Sequence, residues 1–269
     1  MKELNLFQYH DYRKFLSDYI KEGKTSLRKL SKDIKISPSY LSMIISGSRN
    51  INEDNINQLA QKLKFNEQQH TYFKGLVELS DSKDIQKRKL AYKKMRRFKK
   101  YQERNPHEIE TYHYLEKWYY VAIREMTFLK DFKPDPKWIQ NKLQKRVSIR
   151  AIKEALEFLK EKGFIQIKNK KVSSPNKQLE CVGGIYKLSL STFHNQMLSL
   201  AHESIYGVDS QKRNIVGHTL ALSESQFEQV KEIMSEALEK IKDIDNKKET
   251  NEQIYHISLL SFPLTKEES

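Results

Sequence analysis

The stretch from Ser37-Pro38 to Gly47 leaves the chain little freedom. Serine is a good N-cap, proline suits the first helical position, and glycine takes the left-handed residue after a helix. Between them Ser39-Tyr40-Leu41-Ser42-Met43-Ile44-Ile45-Ser46 has room for one short helix, which needs neighbours to stabilise it. The flanking sequence supplies them. Over residues 10–22, Tyr12, Phe15, Leu16, Tyr19 and Ile20 recur at i, i+3, i+4, i+7 and i+8, and Gly23 ends the pattern. Ser26 caps a helix from Leu27 to about Lys35, with Leu27, Leu30 and Ile34 facing inward. Two further helices start near Glu53 (Ile56, Leu59, Ala60, Leu63) and near Glu67 (Tyr72, Phe73, Leu76, Leu79). Residues 1–80 therefore read as a bundle of five helices.

The charge of the chain is unevenly spread. Of a net +14, residues 1–105 carry 24 Lys+Arg against 12 Asp+Glu, whereas the other 164 carry 25 against 23. Compositional drift toward lysine would give an even spread. A concentrated excess instead suits a polyanion, because Lys and Arg on phosphates release condensed counterions. No apolar run approaches the roughly 20 residues that span a bilayer. Met1-Lys2-Glu3-Leu4-Asn5 lacks the apolar stretch of a secretory signal. One cysteine, Cys181, cannot form an internal disulfide, which suits a reducing compartment. A cytoplasmic protein without a membrane partner is the expectation.

The segments Ser26-Leu27-Arg28-Lys29-Leu30-Ser31 and Ile36-Ser37-Pro38-Ser39-Tyr40-Leu41-Ser42-Met43-Ile44-Ile45-Ser46-Gly47-Ser48-Arg49 resemble the Cro/repressor-type helix-turn-helix domain. The resemblance covers about residues 10–80. It implies that small Ser31 lets the two helices cross closely and that Ile36, Leu41 and Ile44 are core. It departs at Leu27, where the family often has a phosphate-binding Gln. A helix at about 37–46 would enter the major groove, with residues near its N-terminus meeting base edges. By position these are Pro38, Ser39, Tyr40, Ser42, Met43 and Ser46, joined by Ser26 and Arg28 on the first helix and by Arg49 and Asn50 beyond the second. Packing against a neighbouring helix competes for Tyr40, and core burial for Met43. Without a bidentate Arg or Gln on this helix, direct readout is thin and DNA shape carries more of the specificity.

Residues 83–104 hold eleven basic and two acidic side chains, with Ile85, Tyr92, Met95, Phe98 and Gln102 near one helical face. They read as a basic helical linker at 81–105. Lys93, Arg96, Arg97 and Lys100, with Lys35 in the turn, are candidate phosphate contacts. A solvated connector, an anionic membrane surface and an acidic partner remain alternatives for this face. Asn105-Pro106 marks a domain boundary.

Residues 106–175 predict an apolar helix at 110–130, a helix opened by Asp135-Pro136, a helix from Ser148 to Gly163, a strand at Phe164-Ile165-Gln166-Ile167, and a turn at Asn169-Lys170-Lys171. That order is winged-helix-like. Its Lys142, Lys145, Arg146, Arg150 and Lys153 serve either a second DNA contact or structure. Residues 176–269 predict a small α+β unit for dimerisation or sensing. Its strands fall at 185–190, 215–222 and 255–264, and its helices at 191–206 and 224–243. The fold class expected is mainly α with small β elements.

The eight histidines show no metal-ligand spacing, Gly183-Gly184 is no phosphate loop, and no nucleophile has a base at a recognisable spacing. No catalytic residue, metal or cofactor is expected, and the chain does not read as an enzyme. The full length resembles a bacterial family that joins a Cro/repressor-type motif to a C-terminal domain of unknown function. The resemblance rests on Lys117-Trp118-Tyr119-Tyr120-Val121-Ala122-Ile123-Arg124-Glu125, Phe193-His194-Asn195-Gln196-Met197-Leu198, Lys212-Arg213-Asn214-Ile215 and Leu259-Leu260-Ser261-Phe262-Pro263-Leu264-Thr265. It implies a transcriptional regulator. The expected partners are double-stranded DNA and a second copy of the chain, with an effector or protein partner left open. A cytoplasmic signal receptor or protein-interaction module, with the helix-turn-helix secondary, is the competing reading.

Overall fold

Side-chain caps set the helix starts in the first third of the chain. In the computed structural model, which describes residues 4–168, 171–175, 184–245 and 250–266, Asp11 accepts the Arg13 N–H and opens α1 (Tyr12–Lys21). Ser26 accepts from Lys29 and opens α2 (Leu27–Asp33), and Ser37 accepts from Tyr40 and opens α3 (Pro38–Ser46). Asn52 opens α4 (Glu53–Lys62), and Asn66 with Gln69 forms a reciprocal capping box on α5 (Glu67–Asp81). The five helices expected over 10–80 are all present.

The chain divides into two compact units, residues 1–117 with 178–194 and residues 118–177 with 195–269. In the first unit, Leu30, Ile34, Leu41, Ile44, Leu59, Phe73 and Leu76 are fully buried. Two features enlarge this core beyond the five helices. A short 3-10 turn at Leu6–Gln8 inserts Leu6 and Phe7, with the Phe7 ring 4.7 Å from that of Tyr72. The basic segment also folds back. It is not one linking helix but two, α6 (Ile85–Met95) and α7 (Lys99–Arg104). The break at Phe98 turns that ring to within 5.9 Å of Phe7 and 5.8 Å of Tyr72, and it buries Tyr101. Ala91, Tyr92 and Met95 of α6 are buried as well. Gly75 permits the α5–α6 approach, since a Cβ there would lie 2.8 Å from Met95 Cγ. Three of the buried tyrosines keep their hydroxyls paired: Tyr12 donates to Asp81 at 3.0 Å, Tyr72 to the Tyr9 carbonyl at 2.9 Å, and Tyr101 to Glu108 at 3.0 Å. α8 (Pro106–Glu116) completes this unit together with the start of α12 (Gly184–Gly207), whose Leu188 joins the core.

The helix expected at 110–130 is interrupted. Lys117 is extended, and the Trp118 N–H, which opens α9 (Trp118–Met126), donates to Gln196 Oε1 at 3.1 Å instead of to a helix carbonyl. The second unit packs α9 on α11 (Ile149–Glu161), and α10 (Pro136–Lys142) on α11 as well. Ile123, Ile139, Ile152, Ala155, Leu159 and Phe164 form its centre. Ser148 caps α11, and Gly163 at φ 72° ends it with the Phe164 N–H on the Leu159 carbonyl. An antiparallel hairpin follows, β1 (Gln166–Lys168) and β2 (Lys171–Ser173), in register Ile167 to Val172. The order helix, helix, hairpin is that expected for the middle region; Asn169 and Lys170 of the expected turn lie outside the described residues, as do Cys181 and Gly183.

Three expected strands are absent from the described structure. Residues 185–190 are the first turns of α12, because Ser189, Phe193 and Met197 recur every four residues and are buried on one helical face. Residues 215–222 and 255–264 are extended in sequence character, yet no ladder joins them to a partner among the described residues. A strand needs an edge to pair with as well as a pattern. Among the described residues an isolated bridge, Leu129 to Asn251, pairs the chain just before the last segment with its own unit. The helix expected at 224–243 is α13 (Glu224–Asp245). No helix of the described residues is long and apolar enough to cross a membrane.

Candidate nucleic-acid interface

The turn between α2 and α3 is a left-handed stop without glycine. Lys35 sits at φ 54°, the Ile36 N–H reaches the Ser31 carbonyl at 3.0 Å, and the Lys35 N–H reaches Lys32 at 3.2 Å. This paired closure ends α2 abruptly and turns the chain into α3 within a few residues. Ser31 is buried against the crossing, its hydroxyl donating to the Arg28 carbonyl at 2.9 Å. Leu30 and Ile34 from α2 and Leu41 and Ile44 from α3 lock the two helices together at zero exposure.

What α3 turns outward is small and uncharged. Pro38, Ser39, Ser42 and Ser46 are exposed, and Met43 is 38% exposed, so Met43 is not core. Tyr40 is half-buried and packs on the edge of the core, with part of its ring still accessible. Ser37 and Ser39 share a 3.1 Å hydroxyl contact, and Ser46 donates to the Met43 carbonyl at 3.1 Å. Tyr40, Met43, Arg49 and Asn50, together with Ser48, line one open depression at the end of α3. Ser26, Arg28 and Lys35 are exposed on α2 and its turn. Cations thus flank a neutral helix face: Arg28 and Lys35 on α2 and its turn, Arg49 beyond α3.

The second basic group stands on other elements. α3 packs on α1 and α2, whereas α6 packs on α5, and α7 on α8 and the Leu6–Gln8 turn. Lys93 and Arg97 are exposed. Arg96 is committed to Glu116 at 3.4 Å and lies 5.2 Å from the Tyr112 ring centre. Lys100 keeps its ammonium 5.8 Å from the Phe7 ring centre, so its charge is partly engaged. In the second unit Lys142 pairs with Asp131 at 2.8 Å, Lys145 with Glu203, and Arg150 with Glu154 at 2.9 Å, which favours the structural use of these cations.

One residue of the site was not legible in the sequence. Arg13 donates to the Ile44 carbonyl at 3.0 Å, approaches Asn50 Oδ1 at 3.4 Å, and pairs with Asp81 at 2.6 Å. Its guanidinium lies 4.7 Å from the Tyr12 ring centre, and its side chain is 14% exposed. It therefore holds the C-terminal end of α3 and the Arg49–Asn50 segment against the bundle. In sequence Arg13 is merely a polar position of α1; only the fold brings it to α3.

A family model described as a helix-turn-helix domain matches residues 14–75. A second, described as a domain of unknown function (DUF4423), matches residues 98–264. No curated protein and no solved structure matches the chain. The first match coincides with the α2–α3 geometry and supports a DNA-binding regulator.

Proposed function

The chain belongs to the family defined by the DUF4423 domain, and from that premise we propose that it is a dimeric transcriptional regulator that sets α3 in the major groove of DNA. The observation that carries this reading is the outward face of α3, free of charge and flanked by Arg28, Lys35 and Arg49. Phosphate contacts from the flanking cations would fix the register, and the serines, Tyr40 and Met43 would meet the bases. Because a serine hydroxyl discriminates bases weakly, specificity leans on groove shape and on the spacing of two half-sites about one helical turn, or a multiple of it, apart. Function by binding, without catalysis, is part of the proposal.

The test is selection from random duplexes, then titration of the selected site by wild type, Arg49→Ala and Tyr40→Ala. The expected result is an enriched palindrome, a salt slope lowered by about 1 for Arg49→Ala, and a loss of roughly 1–3 kcal/mol concentrated at one base position for Tyr40→Ala. A wild type that enriches no sequence at moderate salt would overturn it, and would leave the interaction-module reading standing.

A further inference from the structure

No described residue beyond Met197 is buried. Sixteen of the nineteen exposed large apolar side chains among the described residues lie between Leu198 and Leu264. None of the described side chains of α13 is buried, although helices in proteins draw most of their stability from packing. We infer that α13 and the flanking segments 214–222 and 253–264 form an interface with a second copy of this chain, each covering the apolar surface the other exposes.

The pattern of α13 favours its own copy over another class of partner. Phe227, Val230, Met234, Ala237, Ile241 and Ile244 recur in alternating steps of three and four, the a/d spacing of a coiled coil. All acids from Glu228 to Asp243 then fall at b, c or f, away from the seam. The flanking e and g positions hold Lys231, Ile233, Leu238 and Lys240, so two parallel copies would set Ile233 against Leu238 and no acid against an acid. On the seam Ile244 is 62% exposed, and beside it Ile233 is 65% exposed. Phe227, Val230, Met234, Ala237 and Ile241 are half-buried in the single chain, so the second copy would complete a partly covered stripe. The seven acids of the helix outnumber its three lysines, which disfavours nucleic acid or an anionic membrane on this face.

The two flanking segments complete the surface. Residues 214–222 and 253–264 contain no Asp, Glu, Lys or Arg. Val216, Phe262 and Leu264 are each at least 70% exposed, and no ladder among the described residues covers either segment. Uncharged apolar segments that no strand ladder covers offer backbone groups that another chain can pair. Thirteen of the sixteen exposed side chains lie on α13 and these two segments; at on the order of 50 Å² of apolar surface each they supply most of the roughly 800 Å² per partner of a standard interface. Two identical segments meeting about a two-fold axis satisfy one another.

This inference rests on the dimeric reading above and says which surface makes the dimer. The test is sedimentation equilibrium of the full chain, wild type against Ile233→Glu/Ile244→Glu and against Phe262→Asp, with Ile233→Leu as the conservative control. The expected result is a dimeric wild type and control, with the acidic variants at least about a hundred-fold weaker in self-association. Circular dichroism should show that the acidic variants stay folded, and a single half-site duplex should still bind them. Acidic variants that dimerise as tightly as wild type would overturn the interface while leaving the dimer. A wild type that is monomeric at tens of micromolar would overturn both the interface and the dimer, with half-site binding then deciding the DNA reading separately. Folding lost in the helix double variant shifts the decision to Phe262→Asp, which lies outside any helix.

Discussion

Residues 4–117 and residues 198–264 spend their apolar side chains in opposite ways. The first region buries Leu30, Ile34, Leu41, Ile44, Tyr72 and Phe73 completely, and recruits Phe7 and Tyr101 from outside the five-helix bundle. The second region is as apolar in pattern but leaves Val216 84% exposed and Leu264 74% exposed. Local propensity is similar in both, because α13 is a well-formed helix like α5. The difference lies in partners. A core forms where one chain can bring several apolar stripes together, and a stripe without a second stripe stays on the surface whatever its sequence.

The sharpest way to break this comparison is to truncate one ring in each region. Phe73→Ala should cost about 3–5 kcal/mol in a urea titration of the full chain, since Phe73 is fully buried and lies within 6.4 Å of Phe15 and Phe65. A cost under 1 kcal/mol would mean that the first region is not the rigid body it resembles. Arg13→Ala should come next, at roughly 2–3 kcal/mol, because it strands a mostly buried Asp81 and frees the Ile44 carbonyl. Arg13→Lys should recover little, since an ammonium cannot serve three acceptors in the same fork. If both variants bind DNA and melt as wild type does, the tie between α1 and the end of α3 carries no energy.

Smaller changes sharpen the same contrast. Lys64 repeats the left-handed stop of Lys35, at φ 54° with the Phe65 N–H on the Ala60 carbonyl. Lys64→Gly should therefore raise stability by up to about 1 kcal/mol, read as a higher urea midpoint. An unchanged or lowered midpoint would show that the strain is relieved elsewhere. Glu116 gives the pH dependence. His113 first, then Arg96, holds its carboxyl below the ordinary glutamate range against the cost of burial. A carboxyl lowered on folding contributes stability above its unfolded value and loses it as pH falls through the folded one. Glu116→Gln should therefore flatten the acid limb of the stability curve while leaving the curve above pH 7 lower by a small margin. At the bottom of the scale, Phe262→Ser should change the chain's unfolding free energy by less than about 0.5 kcal/mol under dilute, monomeric conditions, against the large loss from Phe73→Ala.

Caps and periodicity placed α1 to α5 from sequence because these are local devices: Ser26, Ser37 and Asn66 act within three residues of themselves. The helix-turn-helix and its exposed serines were legible for the same reason, and so was the pair α10–α11, while the strand expected at 164–167 lies two residues later at Gln166–Lys168 and Lys171 belongs to β2 instead of the turn. The basic segment was legible as helical but not as two helices, since its break serves contacts of Phe98 with Phe7 and Tyr72 far along the chain. The interruption at Lys117 was hidden too, because the acceptor that replaces the helix carbonyl belongs to Gln196.

The amino-acid sequence by itself determined where α1 to α5 start and stop, where the positive charge is concentrated, and that a short neutral helix follows a tight turn at Lys35. Those properties depend on neighbours within a few residues or on plain composition. Only the tertiary structure decided that Arg13 braces the end of α3, that Arg96 is spent on Glu116, and that segments 215–222 and 255–264 join no strand ladder among the described residues. Each of those outcomes requires a group distant in sequence to arrive at a particular place. Short-range pattern carries no record of that arrival, because strand pairing, ion pairs and core contacts are settled by which surfaces meet.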